Sequence, residues 1–413
     1  MNLMRPLAIP LALLAFACKD AVGPPTKITA LPRALTAEEQ RLIEADNRFA
    51  IKLLKQATAD TRDTLENLFV SPLSVAMALG MTYNGAAGTT EDAMRATLEL
   101  EGMSVAEVNE SYRSLIKLLR ELDPRVRFQI ANSIWYLQGY TIEQPFLDAN
   151  TTYYDARVSA LDFSSPTAAM TINTWVKDQT RGLIDRIVPD QIPDGMRVYL
   201  INAIYFKGDW REQFKQGLTQ PRSFHLADGS AVNVPTMTHG QPVDLRVAYR
   251  PTATIVDLPY GGSAFSMTIV LPSDTTSADK LVDGLTAEQW NDWITGLREG
   301  ESEIFLPKFK LTNDLTLNGT LSALGMGIAF DPNQADFSRM HSPPELFISE
   351  VKHKTYVDVN EEGTEAAAVT SVGVGVTSAP PTLDVNRPFI FALRENLSGT
   401  ILFMGVIRDP RGG

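Results

Sequence analysis

The chain has 413 residues, 44% of them hydrophobic and 21% charged, the balance of an ordinary globular protein. Its 37 Lys and Arg against 49 Asp and Glu leave a net charge of −12, which argues against nucleic acid or an anionic membrane surface as the main partner. Length alone suggests two or three domains.

The first segment is an address. Arg5 is followed by the apolar run PLAIPLALLAFAC, of signal-peptide length and too short to span a bilayer as a stable helix. It stops at Cys18, the only cysteine of the chain. LLAFAC resembles the lipobox of bacterial lipoproteins, with Ala15 and Phe16 as departures, and a lipidated Cys18 would anchor the chain to a membrane. A plain secretory signal is the alternative. Either reading exports the protein, with residues 1–17 removed. No disulfide framework is open to it, because no cysteine follows Cys18. Residues 18–35 carry three prolines and little periodicity, and read as a tether.

From Thr36 onward the pattern is helical. Thr36 and Glu39 have capping-box spacing, and Leu42, Ile43, Phe49, Leu53 and Leu54 follow at near-helical intervals. Residues 71–88 form a small-residue helix that stops at Asn84-Gly85. A helix restarts in GTTEDAMRATLEL, with Thr89 and Asp92 again at capping-box spacing, and residues 104–122 are amphipathic. Arg113, Lys117 and Arg120 share one face there; they could bind a polyanion, or, with Glu110 and Glu121 beside them, form a solvated surface.

RVRFQIANSIWYL then alternates like a strand, TINTWVKDQTRGLI returns to helix, and RVYLINAIYFKGDW is strand again. Short strands recur in ATIVDLPY, FSMTIVLP, ESEIFLPKFKL, TYVDVNEE, PFIFALRE and ILFMGVIRDP. Helices dominate the first half and strands the second, which indicates an α+β fold. There is no internal repeat and no linker after Thr36, so residues 36–413 read as one domain.

No catalytic constellation stands out. There is no GxSxG elbow, none of the four histidines lies in an HExxH pattern, and no phosphate-binding glycine motif follows a strand. Neither an enzyme nor a bound cofactor or metal is expected.

One stretch is unusual: EEGTEAAAVTSVGVGVTSAPP, residues 361–381. After Glu365 it holds no charge, aromatic or large aliphatic residue. Thr364, Ala366, Ala368, Thr370, Val372 and Val374 would share one strand face, free of charge, and the intervening residues the other. Gly363 is a hinge that leaves the stretch outside any sheet at rest, and Pro380 and Pro381 forbid ladder donors at the far end. Such a segment is a loop able to enter a sheet later, or an apolar linker.

Seven motifs in order decide between the two: residues 67–94, 173–184, 200–210, 306–311, 324–338, 348–368 and 383–393. With them the chain, over roughly 36–410, resembles the serpin family. The resemblance implies three β-sheets, about eight or nine helices and an exposed reactive-centre loop. It implies a monomeric suicide substrate of serine proteases, which traps the acyl-enzyme covalently by inserting the cleaved loop into the central sheet. Counting from the hinge, and back from residues 386–389, places the reactive bond at Thr377–Ser378. Thr377, preceded by Val374, Gly375 and Val376, would suit the shallow pocket of an elastase-like or subtilisin-like protease. The hinge runs through Glu361, Glu362, Gly363, Thr364, Glu365, Ala366, Ala367 and Ala368. Ser71, Ser74, Asn202 and His353 match the family's polar cluster where the central strands part. Trp210, Lys308 and Glu361 match the place where insertion begins, with an ion pair expected between Lys308 and Glu361. Departures from the family pattern are Thr355, where Ala is usual, Val369, and the glycines Gly373 and Gly375. A non-inhibitory serpin, acting as a chaperone or binding protein, and an inhibitor of cysteine proteases are the alternatives. Small hinge residues favour inhibition of a protease.

Overall fold

A computed structural model describes residues 26–64, 66–343, 345–364 and 381–411. Cys18, the hinge residues Glu365, Ala366, Ala367 and Ala368, and the segment carrying Val374, Gly375, Val376, Thr377 and Ser378 lie outside the described residues.

Helix α1 (Ala37–Asp60) begins on the Thr36–Glu39 box, both of whose hydrogen bonds are present. It is followed by β1 (Leu68–Val70), α2 (Pro72–Tyr83), α3 (Gly88–Thr97) and α4 (Val105–Glu121). Then come β2 (Val126–Leu137), α5 (Gln144–Tyr154), β3 (Arg157–Leu161), α6 (Ala168–Gln179) and β4 (Val198–Asp209). Five strands follow: β5 (Gln220–His225), β6 (Ala231–Thr238), β7 (Val243–Tyr249), β8 (Ala253–Tyr260) and β9 (Phe265–Pro272). Helices α7 (Ala278–Gly284) and α8 (Ala287–Thr295) precede β10 (Arg298–Pro307), β11 (Phe309–Thr316) and the single turn α9 (Asn318–Leu321). The chain closes with β12 (Lys352–Val359), β13 (Gly363–Thr364), β14 (Thr382–Asp384), β15 (Phe389–Glu395) and β16 (Ile401–Ile407). Nine α-helices and three sheets are therefore present among the described residues.

The central sheet has the order β11-β12-β13-β4-β2-β3. The second sheet runs β1-β16-β15-β9-β8-β7-β10, and the third is built from β10, β6, β5 and β14. Strand β10 belongs to both: residues 298–302 pair with β7, and 305–307 with β6. Helix α2 packs against β4 on one side and β16 on the other, which explains its small, buried side chains. Aromatic rings knit the sheets together; Phe69 stacks on Phe403 at 5.0 Å and on Phe391 at 5.5 Å, and Phe206 lies edge-on to Phe403 and Phe265.

Three expectations change. The Thr89–Asp92 capping box does not form: α3 starts two residues earlier, with Ala87 as its uncapped N-cap. Tertiary bonds set this start, since Ala87 N–H donates to Asp336 O and Thr90 Oγ1 accepts from Asp336 N–H. Segment 301–311 is two strands in different sheets, parted at Lys308, whose N–H turns aside to Pro235 O (2.9 Å). Gly363 and Thr364 are not loop; they form a two-residue strand.

Residues 26–35, within the expected tether, lie against the body. Ile28 N–H donates to Gly262 O (2.7 Å), Lys27 pairs with Glu299 (3.0 Å) and Arg33 with Glu39 (2.6 Å). Of the basic face, Arg113 pairs with Glu110 (2.6 Å) and Arg120 with Asp155 (3.7 Å), as on a solvated surface.

Candidate functional site

Strands β12 and β4 are held apart at their upper end by β13. Gly363 pairs with Asp209, and Thr364 with Gly208 on one side and Val359 on the other. Thr364 is 4% exposed. Gly363 has φ +153°, and a Cβ there would fall 2.2 Å from Gly208 O, so no larger residue allows this approach. The pairing overrides the loop reading because open ladder positions on both flanking strands are met by these two residues. Tyr260 reaches in from the end of β8 and shares a hydrogen bond between its hydroxyl and Thr364 Oγ1 (2.9 Å).

The turn entering β13 is built around Trp210. Its indole N–H donates to Asn360 O (2.9 Å), its backbone N–H to Glu362 O (2.9 Å), and its ring stacks on Tyr260 at 4.4 Å. Glu362 N–H donates to Asn360 Oδ1 (3.1 Å), and Gln216 Nε2 donates to Glu362 Oε1 (3.0 Å). The expected ion pair is present: Lys308 Nζ lies 2.7 Å from Glu361 Oε2. Thr219 Oγ1–H donates to Glu361 Oε1 (2.7 Å), and Phe214 N–H to Glu361 O (2.9 Å). Burial works to raise the Glu361 carboxyl, but the bonds from Lys308 and Thr219 outweigh it and hold it below the usual carboxylate range. Sequence separation does not predict this corner; the end of β10, which turns at Lys308, brings the cation to it.

Beneath lies a chain of buried polar groups. Ser71 N–H donates to His353 Nε2 (2.9 Å), Ser71 Oγ–H to Leu402 O (2.7 Å), and Ser74 N–H to Ser71 Oγ (3.2 Å). Ser74 Oγ–H donates to Asn202 Oδ1, Asn202 Nδ2 to Asn132 Oδ1 (2.7 Å), and Asn132 Nδ2 to Tyr154 O (2.6 Å). The chain thus runs from β12 through the first turn of α2 to β4 and β2. Burial pushes the His353 imidazole down to about 4, so it is neutral and accepts at Nε2. The structure brings Ser71, Ser74, Asn202 and His353 into one network, and Trp210, Lys308, Glu361, Glu362, Gly363 and Thr364 into a second.

Below the polar chain the sheet is open. Residues 345–351 do not join it; Ile348 N–H goes to Ala329 O, Val351 N–H to Asn318 Oδ1, and Asn318 Nδ2 to Ser349 O. A cavity of about 150 Å³ remains between this segment and the start of β4, floored by Val75 and Leu79 of α2. At the far side of the 365–380 segment, β14 runs parallel to residues 303–305 of β10. It is fastened by Arg222, which pairs with Asp384 (2.9 Å) and lies 3.9 Å over the Phe305 ring.

Sequence reasoning missed Asn132, Thr219 and Tyr260. Asn132 was accessible as a polar residue in the apolar run IANSI; the other two carry no local signal. Thr355, a departure from the family pattern, gives its hydroxyl to Phe69 O (2.7 Å) and ties β12 to β1.

Known proteins share the sequence family and the overall fold. Residues 44–410 match the family model described as Serpin (serine protease inhibitor). The leukocyte elastase inhibitor of Homo sapiens is 33% identical over 388 residues, covering 90% of this chain and 100% of its own. Iripin-8 of Ixodes ricinus is 34% identical, covering 90% of this chain and 94% of its own. Among solved structures, the thermophilic serpin tengpin in its native state superposes with a TM-score of 0.81 at 31% identity, over 93% of this chain and 97% of its own. Human thyroxine-binding globulin complexed with thyroxine also gives 0.81, at 27% identity, over 91% of this chain and 100% of its own. The chain belongs to the serpin family, the serine protease inhibitors.

Proposed function

We propose that this serpin is a suicide-substrate inhibitor of serine proteases with elastase-like or subtilisin-like specificity. The observation that carries the reading is the seat of Gly363 and Thr364 between β12 and β4, two strands that pair with β13 and not with each other among the described residues. The residues that follow, Glu365 to Val374, present one small, uncharged face, as an entering strand must.

In this reading the protease attacks Thr377–Ser378 and forms an acyl-enzyme with Thr377. Cleavage frees the segment from its β14 anchor, and residues after Thr364 pair in turn with β12 and β4. Each ladder bond is worth about 1 kcal/mol net, so roughly a dozen residues supply on the order of 10 kcal/mol, as much as a whole domain's stability. That is enough to distort the captured protease before its ester is hydrolysed. Glu361, Lys308 and Trp210 hold the entry point, and Ser71, Ser74, Asn202 and His353 join the strands that must separate. Thr377 has neither the charge nor the size that a trypsin-like pocket selects. The relative named leukocyte elastase inhibitor supports the target class. Residues 1–17 serve as the export signal, and a lipid on Cys18 holds the inhibitor on the extracytoplasmic side of a membrane.

The test is to mix the chain, without residues 1–18, with an elastase-like serine protease and run a denaturing gel. A band at the summed mass, with a released fragment beginning at Ser378, is the expected result. Clean cleavage without a complex, here and with a cysteine protease, would favour a non-inhibitory binding protein or chaperone.

A further inference from the structure

The hinge in the resting protein is gripped by a residue outside the hinge motif. Tyr260 ends β8, in the second sheet, yet its fully buried hydroxyl is 2.9 Å from Thr364 Oγ1 in the central sheet. The end of β4 fixes its backbone: Trp210 and Tyr260 form an antiparallel bridge, Arg211 N–H donates to Pro259 O, and Gly261 N–H to Asp209 O. The end of β4 also fixes its ring, which stacks on Trp210 at 4.4 Å and 11°. The ring lies so close over Gly208 that a Cβ there would come 2.9 Å from a ring carbon. Gly208 is the residue whose backbone pairs with Thr364. Tyr260 is therefore clamped to the strand that receives the hinge, and its one polar atom is aimed at the first side chain to enter.

We propose that Tyr260 is a positioning residue for loop insertion: its hydroxyl seats Thr364, so that the entering strand grows from a paired nucleus. Starting a new strand between two others costs backbone entropy before any ladder bond repays it. A seated Thr364 has met that cost in the resting state. The inference rests on the inhibitor reading only in its kinetic consequence: capture is a race between insertion and deacylation, and a seated hinge shortens the first.

The experiment compares Tyr260→Phe, Thr364→Val, their double variant and the conservative Thr364→Ser. Tyr260→Phe keeps the ring stacked on Trp210 and removes only the hydroxyl. The first readout needs no protease. Amide exchange across residues 352–364 is expected to be about fivefold faster in Tyr260→Phe and Thr364→Val, the change that one lost hydrogen bond gives. Exchange in β15 and β16 is expected to stay unchanged, and Thr364→Ser to match the parent. Unchanged exchange at 352–364 would overturn the proposal. The second readout is the number of inhibitor molecules consumed per protease trapped. It should rise severalfold in each single variant, with the double variant no worse than the weaker single. An unchanged number, or more efficient capture, would overturn the kinetic claim. Should the parent trap no protease, the inhibitor reading fails, and exchange alone still decides whether Tyr260 seats the hinge.

Discussion

Lys308 Nζ stands 2.7 Å from Glu361 Oε2, at the corner where the third sheet's β10 gives way to the central sheet's β11. The pair joins the strand leading into the hinge to the strand beside which the loop's far end, β14, is anchored. The Lys308 side chain is 37% exposed, so solvent limits the pair to about 1 kcal/mol of stability. Lys308→Met should therefore lower the unfolding midpoint by only a degree or two. Its larger effect should be on capture, with more inhibitor cleaved per protease trapped. Because the Glu361 carboxyl is held below its ordinary value, its contribution is full above about pH 4.3 and is lost as the pH falls through its lower folded value. Midpoints of parent and Lys308→Met should thus converge in acid.

His353 sets a second pH dependence. Its folded value is about 4 against an ordinary 6.5, so between these the unfolded chain binds a proton that the native protein refuses. Stability is complete above pH 6.5 and falls as the pH drops toward 4, by on the order of 3 kcal/mol. His353→Gln should flatten the slope of unfolding free energy in that window; an unaltered slope would assign it to other groups.

Asp46 of α1 gives the opposite sign. Burial pushes its carboxyl up to about 7, partly offset by the Tyr112 hydroxyl, which donates to Asp46 Oδ1 (2.8 Å). The native state then holds a proton that the unfolded chain releases, so stability falls as the pH climbs from about 4 to 7. Asp46→Asn should leave the midpoint nearly unchanged at pH 4.5 and raise it by several degrees at pH 8. Equal shifts at both pH values would show that the carboxyl titrates in the native protein as it does in the unfolded chain, and that burial does not raise it.

On the proposed reading, Arg222 guards the uncut loop. Residues 363–364 lie in β13 and 382–384 in β14; on the proposed reading the uncut loop between them can insert only if β14 leaves β10. Arg222→Ala removes the Asp384 ion pair and the cation over Phe305. On warm incubation it should lose inhibitory activity several times faster than the parent, with the chain uncleaved on a gel. Loss at the parent's rate would show that β14 is held by its ladder alone.

Much of the frame was legible because its signals are local. The Thr36–Glu39 box, the stop at Asn84, and the bounds of 253–260 and 265–272 all come from neighbours within a few residues. The ion pair of Glu361 was reached through the motif resemblance, since 53 residues separate it from Lys308. What was missed is decided across the fold. Thr89 loses its capping role because Asp336 bonds Ala87 and Thr90, and α5 buries only Phe146, Asn150 and Tyr154, too few to stand out. The hinge reads as loop in sequence because its strand state depends on Gly208 and Val359, and on a tyrosine hydroxyl 104 residues away.

On the proposed reading, the resting fold stores free energy which loop insertion releases. The direct measurement is the thermal unfolding of the intact protein against protein cut once within residues 365–380 by a non-target protease, both fragments retained. Insertion worth on the order of 10 kcal/mol should raise the midpoint by about 10 °C or more. A cut protein that melts at or below the intact midpoint would show that the loop does not enter the sheet and that the protein does not trap proteases by insertion.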